Sequence, residues 1–234
     1  MKRRYLAFDI ETAKILPEDF GGDLHAHRPL GITCAATLAD DGKPARVFHS
    51  HANGNPAPRM SREDLSAFVD YLVASVDSGC TIVTLNGLGF DFDILAEESG
   101  RLDDCRRLAL GHVDMMFHIF CTKGFAVGLN AAAKAIGLSK TADVDGSLAP
   151  KLWGAGEHQR VLDYVAQDCR ITLDVASVSE QQGAFRWITK KGSLANMEIP
   201  GGWLPVHEAM RLPLPDTSWM DNPWPRSKFT EWLY

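Results

Sequence analysis

The sequence is short of several things. Its five cysteines, at 34, 80, 105, 121 and 169, are odd in number, and none forms a CxxC pair. A disulfide framework and a thiolate zinc site are therefore not expected, and a reducing cytoplasm is the expected compartment. No stretch approaches the roughly 18 uninterrupted apolar residues of a membrane span, so no membrane partner is expected. The opening MKRRYLAFDIETA is basic and then apolar, but Asp9 and Glu11 interrupt it and it does not read as a signal peptide. Positive charge is scarce as well: 24 Lys and Arg stand against 30 Asp and Glu, a net charge of −6. That balance argues against one broad basic face for duplex nucleic acid. Divalent ions at an acidic centre would reverse the sign locally. No GxSxG elbow, GK[ST] phosphate loop or HExxH helix occurs.

What is present is ordinary globular composition. The 234 residues are 45% hydrophobic, enough for one large domain with a real core. Residues 4–10 read as a buried strand, 31–39 as a second, and Asp40-Asp41-Gly42 as a hairpin turn into a third at 45–49. Ser61 caps a helix with an apolar stripe of Leu65, Phe68, Val69, Leu72, Val73 and Val76. The β-branched stretch 81–85 reads as an inner strand. Short helices are expected over 92–98, 102–110 and 129–136, with 114–120 helical or partly buried. The longest helix is expected over 157–180. Strands first, then helix and strand in alternation, predict an α/β fold with a mixed sheet and helices on its faces.

Composition changes after Gly183. Residues 184–234 hold five of the six tryptophans (187, 203, 219, 224 and 232) and half of the prolines. So many aromatics are costly to leave in water, so this extension is expected to pack on the core. The expected division is a domain over 1–183 and a packed aromatic- and proline-rich extension over 184–234.

The chemistry lies in three acidic elements. Asp9 and Glu11, two apart at the end of the first strand, point to the same side while Phe8 and Ile10 point to the other. Two like charges so placed repel, and a divalent cation relieves them. In LNGLGFDFDIL, residues 85–95, Gly87 and Gly89 allow a tight bend before Asp91 and Asp93. If a helix begins there, those two acids cannot share a face, and only one belongs to a site. In YVAQD, Tyr164 and Asp168 are i and i+4 on the long helix, one above the other.

These three elements together resemble the 3′-5′ exonuclease superfamily of ribonuclease H-like fold, the DnaQ-like or DEDD exonucleases. FDIET resembles the first motif. Asn86, Phe90 and Asp91 resemble the Asn-x3-Phe-Asp form of the second, as in the proofreading domains of family B polymerases. Tyr164-x3-Asp168 resembles the tyrosine variety of the third. The resemblance covers roughly residues 4–180 and implies a mixed five-stranded sheet with helices on both faces. It implies four metal ligands, Asp9, Glu11, Asp91 and Asp168, holding two divalent cations, Mg²⁺ or Mn²⁺. It also implies that Tyr164 positions the attacking water, since a phenol with an ordinary pKa of about 10 is a poor base at neutral pH. All-oxygen ligands suit those ions better than zinc.

The expected reaction is hydrolysis of phosphodiester bonds from the 3′ end of single-stranded or frayed nucleic acid, with DNA favoured over RNA. An exoribonuclease, or a silent nucleic-acid-binding or scaffold domain, are the alternatives. Proofreading would call for a replication or repair partner. Thr12, Asn86, Leu88, Phe90 and Phe125 are the expected substrate-binding residues. Residues 101–140 carry six bases against three acids and offer phosphate contacts, as do Lys190, Lys191, Arg226 and Lys228. The His25/His27 and His49/His51 pairs are weak metal candidates without Cys partners. The Gly87-x-Gly89 step lacks the third glycine of a dinucleotide fold.

Overall fold

The computed structural model describes residues 3–17, 25–138 and 146–234. Lys140, the last of the six bases of 101–140, lies outside the described residues.

The chain begins with β1 (Arg4–Thr12), β2 (Ile32–Ala39) and β3 (Arg46–Phe48), followed by a minimal hairpin of β4 (His51–Ala52) and β5 (Asn55–Pro56). Helix α1 (Arg62–Asp77) leads to β6 (Cys80–Thr84), α2 (Asp91–Ser99), α3 (Leu102–Gly111), β7 (Val113–Asp114) and α4 (Met115–Lys123). Then come α5 (Leu129–Ala135), α6 (Ala149–Gly154) and the long α7 (His158–Gln182). The last part holds a hairpin of β8 (Ala184–Ile188) and β9 (Leu194–Glu198), then the short helices α8 (Val206–Ala209) and α9 (Ser227–Thr230).

Five strands form the central sheet in the order β3-β2-β1-β6-β7. The first three are an antiparallel meander; β6 runs parallel to β1, and β7 parallel to β6. This is the expected mixed sheet, and α1 is the crossover that a parallel return requires. Ser61 caps α1 as its sequence predicts: its hydroxyl accepts the Asp64 N–H at 3.1 Å, and Asp64 accepts the same hydroxyl. Hydrogen bonds from Ser50 and Ser61 hold the Asp64 carboxyl below its usual pKa.

Alternation along β1 divides the core. Tyr5 and Ala7 face one side with Cys34, Ala36 and Leu38 of β2, under Val161, Val165, Cys169 and Leu173 of α7. Leu6, Phe8 and Ile10 face the other side, against Phe68 of α1, Phe92 of α2 and Leu108 of α3. Helices therefore cover both faces. β1, with a strand on each edge and helices above and below, is almost wholly buried.

The extension joins both cores. Phe185, Met197 and Trp203 pack into the α7 side, and Val206, Phe229 and Leu233 into the other. Between them the chain passes β7, where the Val206 N–H donates to the carbonyl of His112. Not every tryptophan is pinned, however. Trp203 is fully buried, but Trp219 and Trp224 are 64% and 50% exposed. Proline-rich stretches on either side carry those two rings along the surface, and aromatic content alone did not foresee it.

Candidate active site

Asp9 and Glu11 leave β1 on the α7 face of the sheet, in line with Tyr5 and Ala7. Across the antiparallel ladder they stand opposite Ala36 and Cys34. Glu11 is buried and Asp9 half-buried. The ladder slips between Glu11 and Thr12, and the Thr33 hydroxyl donates to the Glu11 carbonyl at 3.1 Å. Beyond the slip, Ala13 and Lys14 donate to the carbonyls of Gly31 and Leu30 at 3.0 and 2.9 Å. The backbone leaving the acidic pair is thus held in place.

Asp91 arrives from the next layer. Parallel pairing of β1 with β6 ends at Ala7 opposite Val83, which leaves the rest of that edge open. Asp91, the first residue of α2, fills it: its Oδ1 accepts the Ile10 N–H at 3.1 Å. Its side chain therefore sits level with the peptide between Asp9 and Glu11. Burial pushes the Asp91 carboxyl up to about 7; the Ile10 hydrogen bond opposes this, and the charges of Asp114 and Asp168 add to it.

Asp168 completes the set from above. It precedes Cys169, whose thiol donates to the carbonyl of Ala36 at 3.3 Å, and Ala36 is the ladder partner of Asp9. The Cys169 thiol is pushed well above its usual pKa by burial, and then by the charges of Asp9, Asp168 and Asp91. The Cys34 thiol is pushed up by burial, and then by Glu11 and Asp9. Asp9 is the carboxylate common to the surroundings of both thiols. Residue 168 stands on the same face of the sheet as residues 9 and 11. Among the described residues, no three His, Cys, Asp or Glu side chains are gathered tightly enough to hold a metal ion between them.

Tyr164 lies one turn before Asp168 and is buried; its hydroxyl is 3.8 Å from where a methyl group on Gly146 would stand. Gly146 belongs to a cleft of about 430 Å³ whose walls include Thr12, Lys14, Phe90, Ser147 and Lys151. Among the described residues no acid lines this cleft, while Lys14 and Lys151 do. Thr12 and Phe90, expected to meet substrate, both border it. The cleft thus adjoins the acidic group through Thr12, next to Glu11, and Phe90, next to Asp91, and carries two lysines on its wall.

The family pattern described as RNase_H superfamily matches residues 32–178. The chain belongs to the RNase_H superfamily. The matched span includes Asp91, Tyr164 and Asp168 and begins after Asp9 and Glu11. No curated protein matches the chain. Among solved structures, the family B DNA polymerase of the hyperthermophilic archaeon Pyrobaculum calidifontis is similar in fold, with a TM-score of 0.56 and 22% identity. That likeness covers 76% of this chain and 25% of the polymerase, so the chain spans about a quarter of that protein's length. Exonuclease I of E. coli, in complex with a 5cy-dT13 oligonucleotide, aligns at 14% identity over 70% of this chain and 42% of that one. Its TM-score of 0.37 carries no weight. The five-stranded mixed sheet with helices is the ribonuclease H-like arrangement that the superfamily implies.

The remaining expected residues fall elsewhere. Leu88 is fully buried, its side chain in the core rather than along a substrate path. Phe125 lies between Trp187 and Trp219, with ring centroids 6.1 and 6.2 Å away, and does not line the cleft. Both are apolar, and packing claims such side chains first. Asn86 adopts φ +84° at the turn after β6, and its N–H donates to Asp114. Asp93 turns away from Asp91, as expected on a helix, and pairs with Arg28, which also holds Glu97.

Three of the bases of 101–140 are paired with neighbours: Arg101 with Asp70 and Asp104, Arg106 with Asp103 and Arg107 with Asp104. The rings of His49 and His51 lie 4.5 Å apart, tilted to each other, and His49 meets Trp153 edge-on at 6.1 Å.

Asp114 is the residue that the sequence reading missed. It is 1% exposed and accepts three backbone N–H groups: Asn86 at 3.0 Å, Leu88 at 2.8 Å and Phe117 at 3.0 Å. It caps α4 and holds the turn leading to Asp91. An aspartate just before the apolar stretch MMFHIF was the available signal.

Proposed function

We propose that the chain is a metal-dependent 3′-5′ exonuclease of the DnaQ-like, tyrosine variety. It hydrolyses phosphodiester bonds from the 3′ end of single-stranded or frayed nucleic acid, with DNA before RNA. One observation carries the reading. Asp91, at the start of a helix, accepts the N–H of Ile10 between Asp9 and Glu11, and Cys169, next to Asp168 on a remote helix, donates to Ala36, the ladder partner of Asp9.

The donor set fits hard divalent ions. It is all oxygen, partly buried, and Asp91 resists ionisation in the absence of a counter-charge. Asp9, Glu11, Asp91 and Asp168 would hold two ions, Mg²⁺ or Mn²⁺, and binding would draw the four carboxylates closer together. When bound, such ions supply an activated water and neutralise charge developing on the phosphate and the leaving 3′ oxygen. Asp9, central in the group, is the ligand whose loss matters most. The Tyr164 hydroxyl, facing Gly146, orients water beside Asp168. Lys14 and Lys151 attract the phosphate backbone, Phe90 offers a ring edge to the terminal base, and Thr12 offers its hydroxyl to the terminal sugar.

The test is digestion of matched 5′-labelled DNA and RNA oligomers with added Mn²⁺. Stepwise loss from the 3′ end is expected, abolished in Asp9→Ala and only reduced in Tyr164→Phe, which keeps the ring. Full activity in Asp9→Ala would reject the assignment, and release of the label as a mononucleotide with no labelled intermediates would reject the polarity.

A further inference from the structure

The turn that carries Asp91 is held from two sides. From the sheet, Asp114 takes the N–H groups of Asn86 and Leu88, and the Thr84 hydroxyl takes that of Gly87 at 3.1 Å. From outside, the last residues of the chain take the carbonyl that follows them: the Trp232 indole N–H donates to the Leu88 oxygen at 2.7 Å. The Phe229 ring lies against Gly89 so closely that a Cβ there would fall 2.9 Å from its Cδ1. Phe229 is itself wedged against Phe117 and Phe120, with centroids 5.6 and 4.9 Å away. Arg226 ties the same segment to α4 by donating to the Cys121 carbonyl at 3.1 Å, and to its own chain at Leu212 and Pro213.

These contacts sit one step from the site. The Gly87 carbonyl accepts the Phe92 N–H at 2.9 Å and so opens α2, and Asp91 is the first residue of that helix. The turn is constrained at Asn86 by its positive φ and at Gly87 by Thr84, 2.4 Å from any added Cβ. A shift of the Leu88 peptide therefore passes into the direction of the Asp91 side chain.

We propose that the C-terminal extension is a working part of the site, with Trp232 a positioning residue that fixes, through the Leu88 carbonyl, the turn presenting Asp91. The metal-binding part of this inference rests on the reading of Asp91 as an ion ligand; the mechanical part does not. The test uses the full chain. Trp232→Phe keeps most of the ring and removes the N–H donor, and Phe229→Leu is a second variant that loosens the same contact. Hydrogen exchange is followed in a peptide spanning residues 85–92, and Mn²⁺ binding by calorimetry.

Loss of one hydrogen bond is expected to raise exchange at residues 86–88 about fivefold. Mn²⁺ affinity should fall by a similar factor, while amides of α1 and the melting temperature hold. Unchanged exchange at 86–88, or an equal rise along the whole chain, overturns the proposal. So does a loosened turn with unaltered Mn²⁺ affinity. If the unaltered protein neither binds Mn²⁺ nor cuts nucleic acid, while Trp232→Phe still loosens 86–88, the nuclease reading falls and the mechanical latch stands.

Discussion

Replacing Asp114 by asparagine should destabilise the protein far more than so small a change suggests. Two of its backbone donors, Asn86 and Phe117, share Oδ1, and the third, Leu88, meets Oδ2. An asparagine has one oxygen, which can keep the first two. Its amide nitrogen then faces the Leu88 N–H, donor against donor, in a place only 1% exposed. One charge-assisted bond is lost and one buried N–H is left unsatisfied, at a cost of about 2–3 kcal/mol. Asp114→Ala strands all three donors and should cost about 4 kcal/mol or more. For a chain of this size the asparagine variant should melt roughly 5–10 °C lower. Urea unfolding followed by circular dichroism measures the difference directly, provided the slope with denaturant is unchanged. Asp103→Asn, whose side chain is fully exposed, is the control and should leave the midpoint where it is. An Asp114→Asn protein within about 0.5 kcal/mol of the parent would refute the claim that this carboxylate carries the turn.

Trp203→Ala should cost about 3–5 kcal/mol, because the ring is fully buried and its N–H donates to the Ala176 carbonyl at 3.2 Å. Limited proteolysis should then release the extension first, and a tail that stays resistant would contradict this. His118 should make stability fall with acid. Its Nδ1 accepts the Leu204 N–H at 3.2 Å, and burial lowers its pKa to about 4. Between the ordinary histidine pKa of about 6.5 and 4, the unfolded chain takes up a proton that the folded chain refuses, so stability is lost as pH drops through that window. His118→Gln should flatten this slope in melts from pH 7 to pH 4. Some slope persists from His112, whose pKa burial also lowers; equal slopes in the two proteins would refute the role of His118.

Local patterns carried much of the fold. The Ser61 cap, the stripe of α1 and the alternation of β1 are each set by residues a few positions apart, and the structure places them as read. β7 escaped notice because two residues have no period; it is a strand only because β6 offers it an edge. The hairpin of β8 and β9 hid within an aromatic-rich stretch that patterning alone reads as an extension. Leu88 lies in the core, and an apolar side chain near a motif looks the same in sequence whether it faces a groove or a core.

The candidate site divides along the same line. Which acids stand at the end of β1, at the start of α2 and midway along α7 follows from sequence spacing, since strand and helix periods are short-range. That Asp91 reaches the Ile10 peptide, that Cys169 brings its neighbour to the strand opposite Asp9, and that Trp232 closes on Leu88 across 144 positions was decided only by the tertiary structure. Those contacts depend on where β6 stops pairing with β1 and on how the final residues meet α4. Both are settled by which distant surfaces bury each other, and no local run of residues encodes that choice by itself.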